Sequence, residues 1–255
     1  MIDRLTLETV MRRNKWKDYM AEQHYILTTS LFLLRDEPLA FKGGTCLWFF
    51  YGLPRFSTDL DFTATSALDP DDLYKGLSAN LFKVFGIENS IVHGGKFKES
   101  MSYRIDAKGP FFAPTMRSSG LRYVKVEISN RETIRMKPLP GLLEFDEYNV
   151  PPHFISCMAA QEIACEKVRA IMTREKPRDV FDLWHLVKNL GVFFDDAMVN
   201  EKLSVAGKVF DADAFYTSVK KKEAAWVTDL KPIVFIKLPA FDECARVVLG
   251  WLSCR

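Results

Sequence analysis

Residues 59–64 read Asp-Leu-Asp-Phe-Thr-Ala, and no other stretch constrains the fold so tightly. The alternation predicts a strand, in which side chains two apart share a face and lie about 6.5–7 Å apart along the chain. Leu60 and Phe62 then pack on the core, while Asp59 and Asp61 share the opposite face. Two carboxylates that close repel each other, so stability alone disfavours the pair. A divalent cation between them removes the repulsion. Hard cations such as Mg²⁺ take this ligand type and are completed by substrate phosphates.

The segment upstream supplies a complement. Lys42-Gly43-Gly44-Thr45 follows a short apolar extended piece and precedes Cys-Leu-Trp-Phe-Phe-Tyr, two turns of helix stopped by Gly52 with Pro54 beyond. Glycines let a backbone approach a phosphate, and a helix N-terminus offers unpaired N–H groups. Thr45 caps that helix or bonds a phosphate oxygen. Arg55 and Ser57, just before the acidic strand, are placed to touch a triphosphate, although Ser57 equally suits a turn cap. Taken singly, Gly-Gly-Thr is an ordinary turn and Asp-x-Asp an ordinary solvated strand end. Joined across one short helix, they are the parts needed to hold a nucleoside triphosphate with Mg²⁺. Phosphoryl and nucleotidyl transfers depend mainly on such positioning and charge neutralisation.

The remaining composition narrows the setting. The 255 residues are 48% hydrophobic and 27% charged, with 20 Phe and 5 Trp, so a real core is expected in one large domain or two small ones. No apolar run reaches the roughly 20 residues of a membrane span. With no signal-like N-terminus, a cytoplasmic protein without membrane contact is expected. The five Cys are odd in number and lack metal-ligand spacing, and the four His are scattered, so free thiols are expected rather than a zinc site. Net charge is only +2, but Lys96 to Lys137 holds ten Lys or Arg against four acids. That stretch either tracks a phosphate backbone or forms a solvated strand face.

Residues 1–35 carry near-helical spacing with a break near Asn14. Asp69-Pro70-Asp71-Asp72 starts a helix that runs to about Phe85. Residues 88–137 predict antiparallel strands, including LRYVKVEIS and ETIRMK. A turn-rich linker, LPGLLEFDEYNVPP, puts a boundary near Pro151. The expected organisation is residues 1–150 with the mixed sheet, then a helical 151–255. His24 and His185 are expected to be structural, and Val219–Lys222 a solvated helix end or an RNA contact.

Gly-Gly-Thr followed by Asp-Leu-Asp resembles the G-[GS]-x-D-x-D signature of the polymerase-β-like nucleotidyltransferases. More closely, FKGGTCLWFFYGLPRFSTDLDF resembles the AbiEii/AbiGii toxin family, and the similarity continues in Glu166-Lys167-Val168-Arg169, Arg174 and Arg178-Asp179-Val180-Phe181-Asp182-Leu183. The resemblance implies an α+β nucleotidyltransferase fold with a mixed sheet flanked by helices and a helical C-terminal half. It also implies two Mg²⁺ ions, a nucleoside triphosphate donor, a tRNA 3′ end as acceptor and a cognate antitoxin. A third carboxylate, usual in this superfamily as general base and metal ligand, falls on Glu127. Lys167 and Arg174 lie on one helical stripe and face either a triphosphate or solvent. Arg178 is a further phosphate ligand. Asp179 either compensates a helix dipole or holds Arg178 or Lys167 in a catalytic role. Transfer to a protein or small molecule, or a nucleotide- or antitoxin-binding module without turnover, are the alternatives.

Overall fold

The computed structural model describes residues 1–97, 100–113 and 120–254. Lys98, Glu99 and Arg117 of the basic stretch lie outside these residues. The chain divides into two compact units, each built from three stretches. The first holds residues 1–46, 58–131 and 139–157, and the second 47–57, 132–138 and 158–255.

The first unit begins with α1 (Arg4–Asn14) and α2 (Asp18–Leu34), separated where Lys15 adopts a left-handed conformation. Helix α2 is buried almost all round. The hydroxyls of Thr28, Thr29 and Ser30 therefore bond back to carbonyls one turn earlier, which satisfies polar groups that have no access to water. Then follow β1 (Leu39–Lys42), α3 (Gly43–Phe50), β2 (Asp59–Ala64), α4 (Pro70–Phe85), β3 (Asn89–Phe97), β4 (Ser100–Ala107), β5 (Arg122–Ser129), β6 (Leu139–Phe145) and β7 (Val150–Cys157). Helix α4 starts as expected, with the Asp69 carboxylate accepting from the Asp71 N–H and Pro70 in the first turn, and it closes at Gly86 in a left-handed conformation.

Among the described residues the strands form one sheet in the order β3-β4-β5-β2-β1-β7-β6. Strand β2 runs parallel to β5, and β1 parallel to β7; the other pairings are antiparallel. One face is apolar: Phe41, Leu60, Phe62, Val124, Val126, Ile128 and Ile105 are all buried. Phe41 stands opposite Phe62, their ring centroids 5.1 Å apart. Helix α2 is anchored to this sheet through Glu22, whose carboxylate accepts from the Arg122 Nε and the Phe111 N–H, each at 2.7 Å.

The second unit is helical: α5 (Ala160–Thr173), α6 (Pro177–Leu190), α7 (Asp196–Ser204), α8 (Ala212–Lys220), α9 (Trp226–Leu230) and α10 (Phe241–Gly250). His185 bonds the Tyr51 carbonyl at 2.8 Å, a structural role as expected. His24, in the first unit, is buried against Tyr148, and burial lowers its pKa to about 3. Cys46, Cys157, Cys165 and Cys244 are buried free thiols. None of the helices among the described residues is long and apolar enough to cross a membrane.

Three expectations are corrected. The boundary near Pro151 falls inside β7, because residues 139–157 are a strand pair rather than a linker. Pro151 and Pro152 are tolerated because they stand beside a register shift, at the end of β7 away from its β1 pairing at Cys157, and Pro140 because β6 is the edge strand. ETIRMK is not a strand: the N–H groups of Arg135 and Met136 donate to the buried Glu162 carboxylate, leaving no ladder to join. Lys222 is not solvated. It is 3% exposed and donates to the Ile171 carbonyl at 2.9 Å, capping the end of α5.

Phe62→Ala is expected to lower stability by about 3–5 kcal/mol, the usual cost of emptying a buried aromatic site. A urea titration would show the midpoint falling with the slope unchanged.

Candidate active site

Strand β2 presents Asp59 and Asp61 half-buried on the face opposite Leu60 and Phe62, which are 0% and 2% exposed. The alternation therefore acts as expected. In the parallel register with β5, Asp59 stands beside Lys125 and Asp61 beside Glu127. Glu127 is thus on the strand next to the acid pair and on the same face. Its carboxylate accepts from the Lys125 ammonium at 2.9 Å. Burial opposes the charge of Lys125, but the hydrogen bond and charge of Glu127, with the charges of Asp59 and Asp61, outweigh it and raise the lysine's pKa. Strand phase already puts Tyr123, Lys125 and Glu127 on this face, and a Lys125–Glu127 pair is also the ordinary reading of a strand glutamate beside a lysine.

On the other side of β2, Lys42 pairs in register with Asp61, and the chain turns directly into α3. Gly43 has φ +76°, and a Cβ there would lie 2.2 Å from Asp61 Oδ2. Only glycine both adopts this backbone without strain and leaves the carboxylate its room. Gly44 and Thr45 continue the first turn of α3, where backbone N–H groups lack intrahelical acceptors. Thr45 itself is fully buried, and its hydroxyl donates to the Asp59 carbonyl at 2.5 Å. Its side chain ties α3 to β2 and is not available to a phosphate, which corrects one of its expected roles. The Thr58 hydroxyl donates to Asp59 Oδ1 at 3.1 Å.

The donor set fits magnesium. Two carboxylates on one strand face, with a glycine turn against one of them, match a cation that takes one or two protein carboxylates and completes its shell with water and phosphate. Among the described residues no three His, Cys, Asp or Glu side chains already converge as a metal cage, in keeping with Glu127 being engaged by Lys125.

The remaining expected residues lie in the second unit. Arg55 is 1% exposed, and its guanidinium grips Asp182 through two hydrogen bonds of 2.5 and 2.6 Å. It is a buried structural cation, not a triphosphate ligand, because both forks of the guanidinium are committed. Lys167 bridges Asp179 at 3.1 Å and Asp182 at 2.6 Å. Arg174 completes a bidentate pair with Asp179 at 2.7 Å. Asp179 therefore holds Lys167 and Arg174, one of the two readings left open for it. Asp182, three residues on along α6, was missed. Its signal was the i, i+3 spacing that puts both acids on one helix face. Burial alone would raise the pKa of either carboxyl. The neighbouring cations, Lys167 and Arg174 at Asp179 and Arg55 and Lys167 at Asp182, outweigh it and depress both. Ser57 and Arg178 are half-buried.

An acid pair on an inner strand, a glycine turn into a helix and a third carboxylate in register thus stand together on one mixed sheet. The chain belongs to the family described as the nucleotidyl transferase AbiEii toxin of type IV toxin–antitoxin systems, whose pattern matches residues 26–247, and it is a nucleotidyltransferase. The fold is similar to that of the nucleotidyltransferase toxin MenT4 from Mycobacterium tuberculosis, with a TM-score of 0.66 at 18% identity over 97% of this chain and 88% of that one. It is also similar to a putative nucleotidyltransferase from Helicobacter pylori, with a TM-score of 0.59, 20% identity and 93% and 94% of the two chains covered. A third likeness is to JHP933 from Helicobacter pylori, with a TM-score of 0.58, 19% identity and coverage of 99% and 92%. No curated protein sequence matches the chain.

Gly43→Ala is expected to abolish nucleotidyl transfer while leaving a folded chain, since the new methyl group meets Asp61 directly. Circular dichroism alongside an activity assay checks it. Lys167→Met is expected to cost about 3–5 kcal/mol by leaving buried carboxylates under-compensated. The folded pKa values of Asp179 and Asp182 lie below those of the unfolded chain. Their stabilisation is thus complete above about pH 4 and fades as pH falls through the folded values. In the variant the acid limb of a urea-midpoint profile should begin at higher pH.

Proposed function

We propose that this protein transfers a nucleoside monophosphate from a nucleoside triphosphate to the 3′ end of a tRNA, in the cytoplasm and under the control of a cognate antitoxin. The observation that carries the reading is the register that puts Asp59, Asp61 and Glu127 on one face of adjacent strands beside the Gly43 turn. Asp59 and Asp61 would hold magnesium, with Glu127 as a further ligand for a second ion. When bound there, the metal neutralises the charge of the phosphates and of the attacking oxygen. The backbone N–H groups of Gly44 and Thr45 at the start of α3 receive phosphate oxygens. The acceptor hydroxyl oxygen bonds to the α-phosphorus, the bond to the β-phosphate oxygen breaks, and pyrophosphate leaves. Glu127 accepts the hydroxyl proton, and Lys125 keeps that carboxylate in place beforehand.

Lys167, Asp179 and Arg178 belong to this proposal on their chemistry. Arg55, Lys167 and Arg174 supply three positive charges against the two of Asp179 and Asp182. These cations have the sign an anionic ligand requires, and Arg178 and Ser57 stand as further phosphate-binding groups.

Incubation with each labelled nucleoside triphosphate, Mg²⁺ and total tRNA tests the reading. Label should enter tRNA, and it should be lost on chelation. Asp59→Asn or Asp61→Asn should reduce transfer by about a thousandfold, as expected when several kcal/mol of charge stabilisation are removed. Undiminished transfer by Asp59→Asn would refute the metal assignment. Labelling of protein or metabolite pools instead of tRNA would refute the acceptor.

A further inference from the structure

We infer that the exposed end of the β2-β5-β4 face is a stacking platform for the 3′-terminal nucleotides of the acceptor strand, with Tyr123 and Arg104 as its binding residues. The inference rests on the nucleotidyltransferase reading and adds the path by which a polynucleotide reaches the site.

Cross-strand neighbours divide this face into rows. Thr63, Ser129 and Ser100 form one row and are 0%, 3% and 6% exposed. Asp61, Glu127 and Ser102 form the next, half-buried. Asp59, Lys125 and Arg104 follow, with the Lys125 and Arg104 side chains 42% and 48% exposed. Tyr123, opposite Asp106 at the end of β5, is 42% exposed. Among the described residues, exposure on this face therefore rises in one direction along the strands. Across the strands it closes toward β1, where Lys42 is 7% exposed, and stays open toward β3, where Val92 opposite Arg104 is 45% exposed. The open route from Asp59 runs over β5 and β4, about 10 Å at the usual strand spacing.

The groups along that route suit nucleotides. The Arg104 guanidinium carbon lies 4.6 Å from the Tyr123 ring centroid, and Asp106 accepts from the Arg104 Nε. The result is a part-exposed aromatic ring with a cation stacked over it, so that ring and guanidinium together form the flat surface. Bases stack on such rings with little sequence preference, and arginine adds phosphate attraction. The direction of approach favours the acceptor over the incoming triphosphate. The Gly43 turn lies on the β1 side of β2, and the platform on the β5 side. In-line transfer requires the attacking hydroxyl and the departing pyrophosphate on opposite sides of the α-phosphorus.

Binding is read by the fluorescence anisotropy of a labelled single-stranded RNA with a free 3′ hydroxyl, using the inactive Asp59→Asn background. Tyr123→Ala and Arg104→Ala should each weaken binding roughly tenfold, and Tyr123→Phe should bind as the parent does. The Tyr123 carbonyl accepts from Gln23 Nε2 at 2.7 Å through the backbone, so truncating the ring spares that anchor, and thermal unfolding verifies it. In active enzyme, Tyr123→Ala should raise KM for the RNA by a similar factor and leave KM for the triphosphate unchanged. Unchanged RNA affinity overturns the platform. A raised triphosphate KM with an unchanged RNA KM overturns it in favour of the incoming base. RNA binding through Tyr123 without any nucleotide transfer would uphold the platform and sink the activity reading, whereas transfer indifferent to both substitutions would do the reverse.

Discussion

The repulsion between two carboxylates on one strand face is the constraint to which the first unit answers. Asp59 and Asp61 cannot relax apart, because the residues between and beyond them, Leu60 and Phe62, are packed into the core. The sheet holds the acids side by side, an arrangement that needs positive charge nearby. Neighbouring lysines supply it. Lys125 sits beside Asp59 in register and bonds Glu127, and Lys42 faces Asp61 from the adjoining strand. The acid pair is thereby held together in a folded chain.

Backbone geometry and side-chain charge meet at Gly43. The left-handed turn lets β1 pass into α3 without a connecting loop, and the absence of a side chain leaves space for the Asp61 carboxylate. Thr45 then fastens the helix to the same strand through the Asp59 carbonyl. One three-residue stretch thus sets the position of the helix N-terminus relative to both acids. The glycine turn, the helix start and the acidic strand are held as one piece.

Much of this was legible before any coordinates. The two-residue alternation located the acidic strand, the Gly-Gly turn located the helix start, and strand phase alone put Glu127 on the correct face. What the sequence could not disclose was pairing over long distances. Arg55 looked like a phosphate ligand because it sits four residues before Asp59; its partner, Asp182, is 127 residues away in the chain. Thr45 looked like a ligand because hydroxyls near phosphates are common, yet its proton is used locally. Glu162 drew the 132–138 segment out of strand geometry by offering a buried acceptor to its N–H groups. Local pattern sees propensity and face, and it misses which distant group satisfies a buried charge. The prolines misled for a related reason: they mark turns in general, but here Pro151 and Pro152 fall where strand pairing is already irregular and Pro140 lies on an edge strand.

The interleaving of the two units along the chain bears on how this gene tolerates damage. A premature stop after residue 150 would not release a smaller working enzyme. It would delete β7, stripping β6 of its antiparallel partner and leaving β1 with an open edge beside the acidic strand. An exposed edge of that kind invites aggregation. A stop at that point should therefore silence the protein as completely as an earlier one, and a host escaping its action would gain as much from losing residues 151–255 as from losing the whole chain.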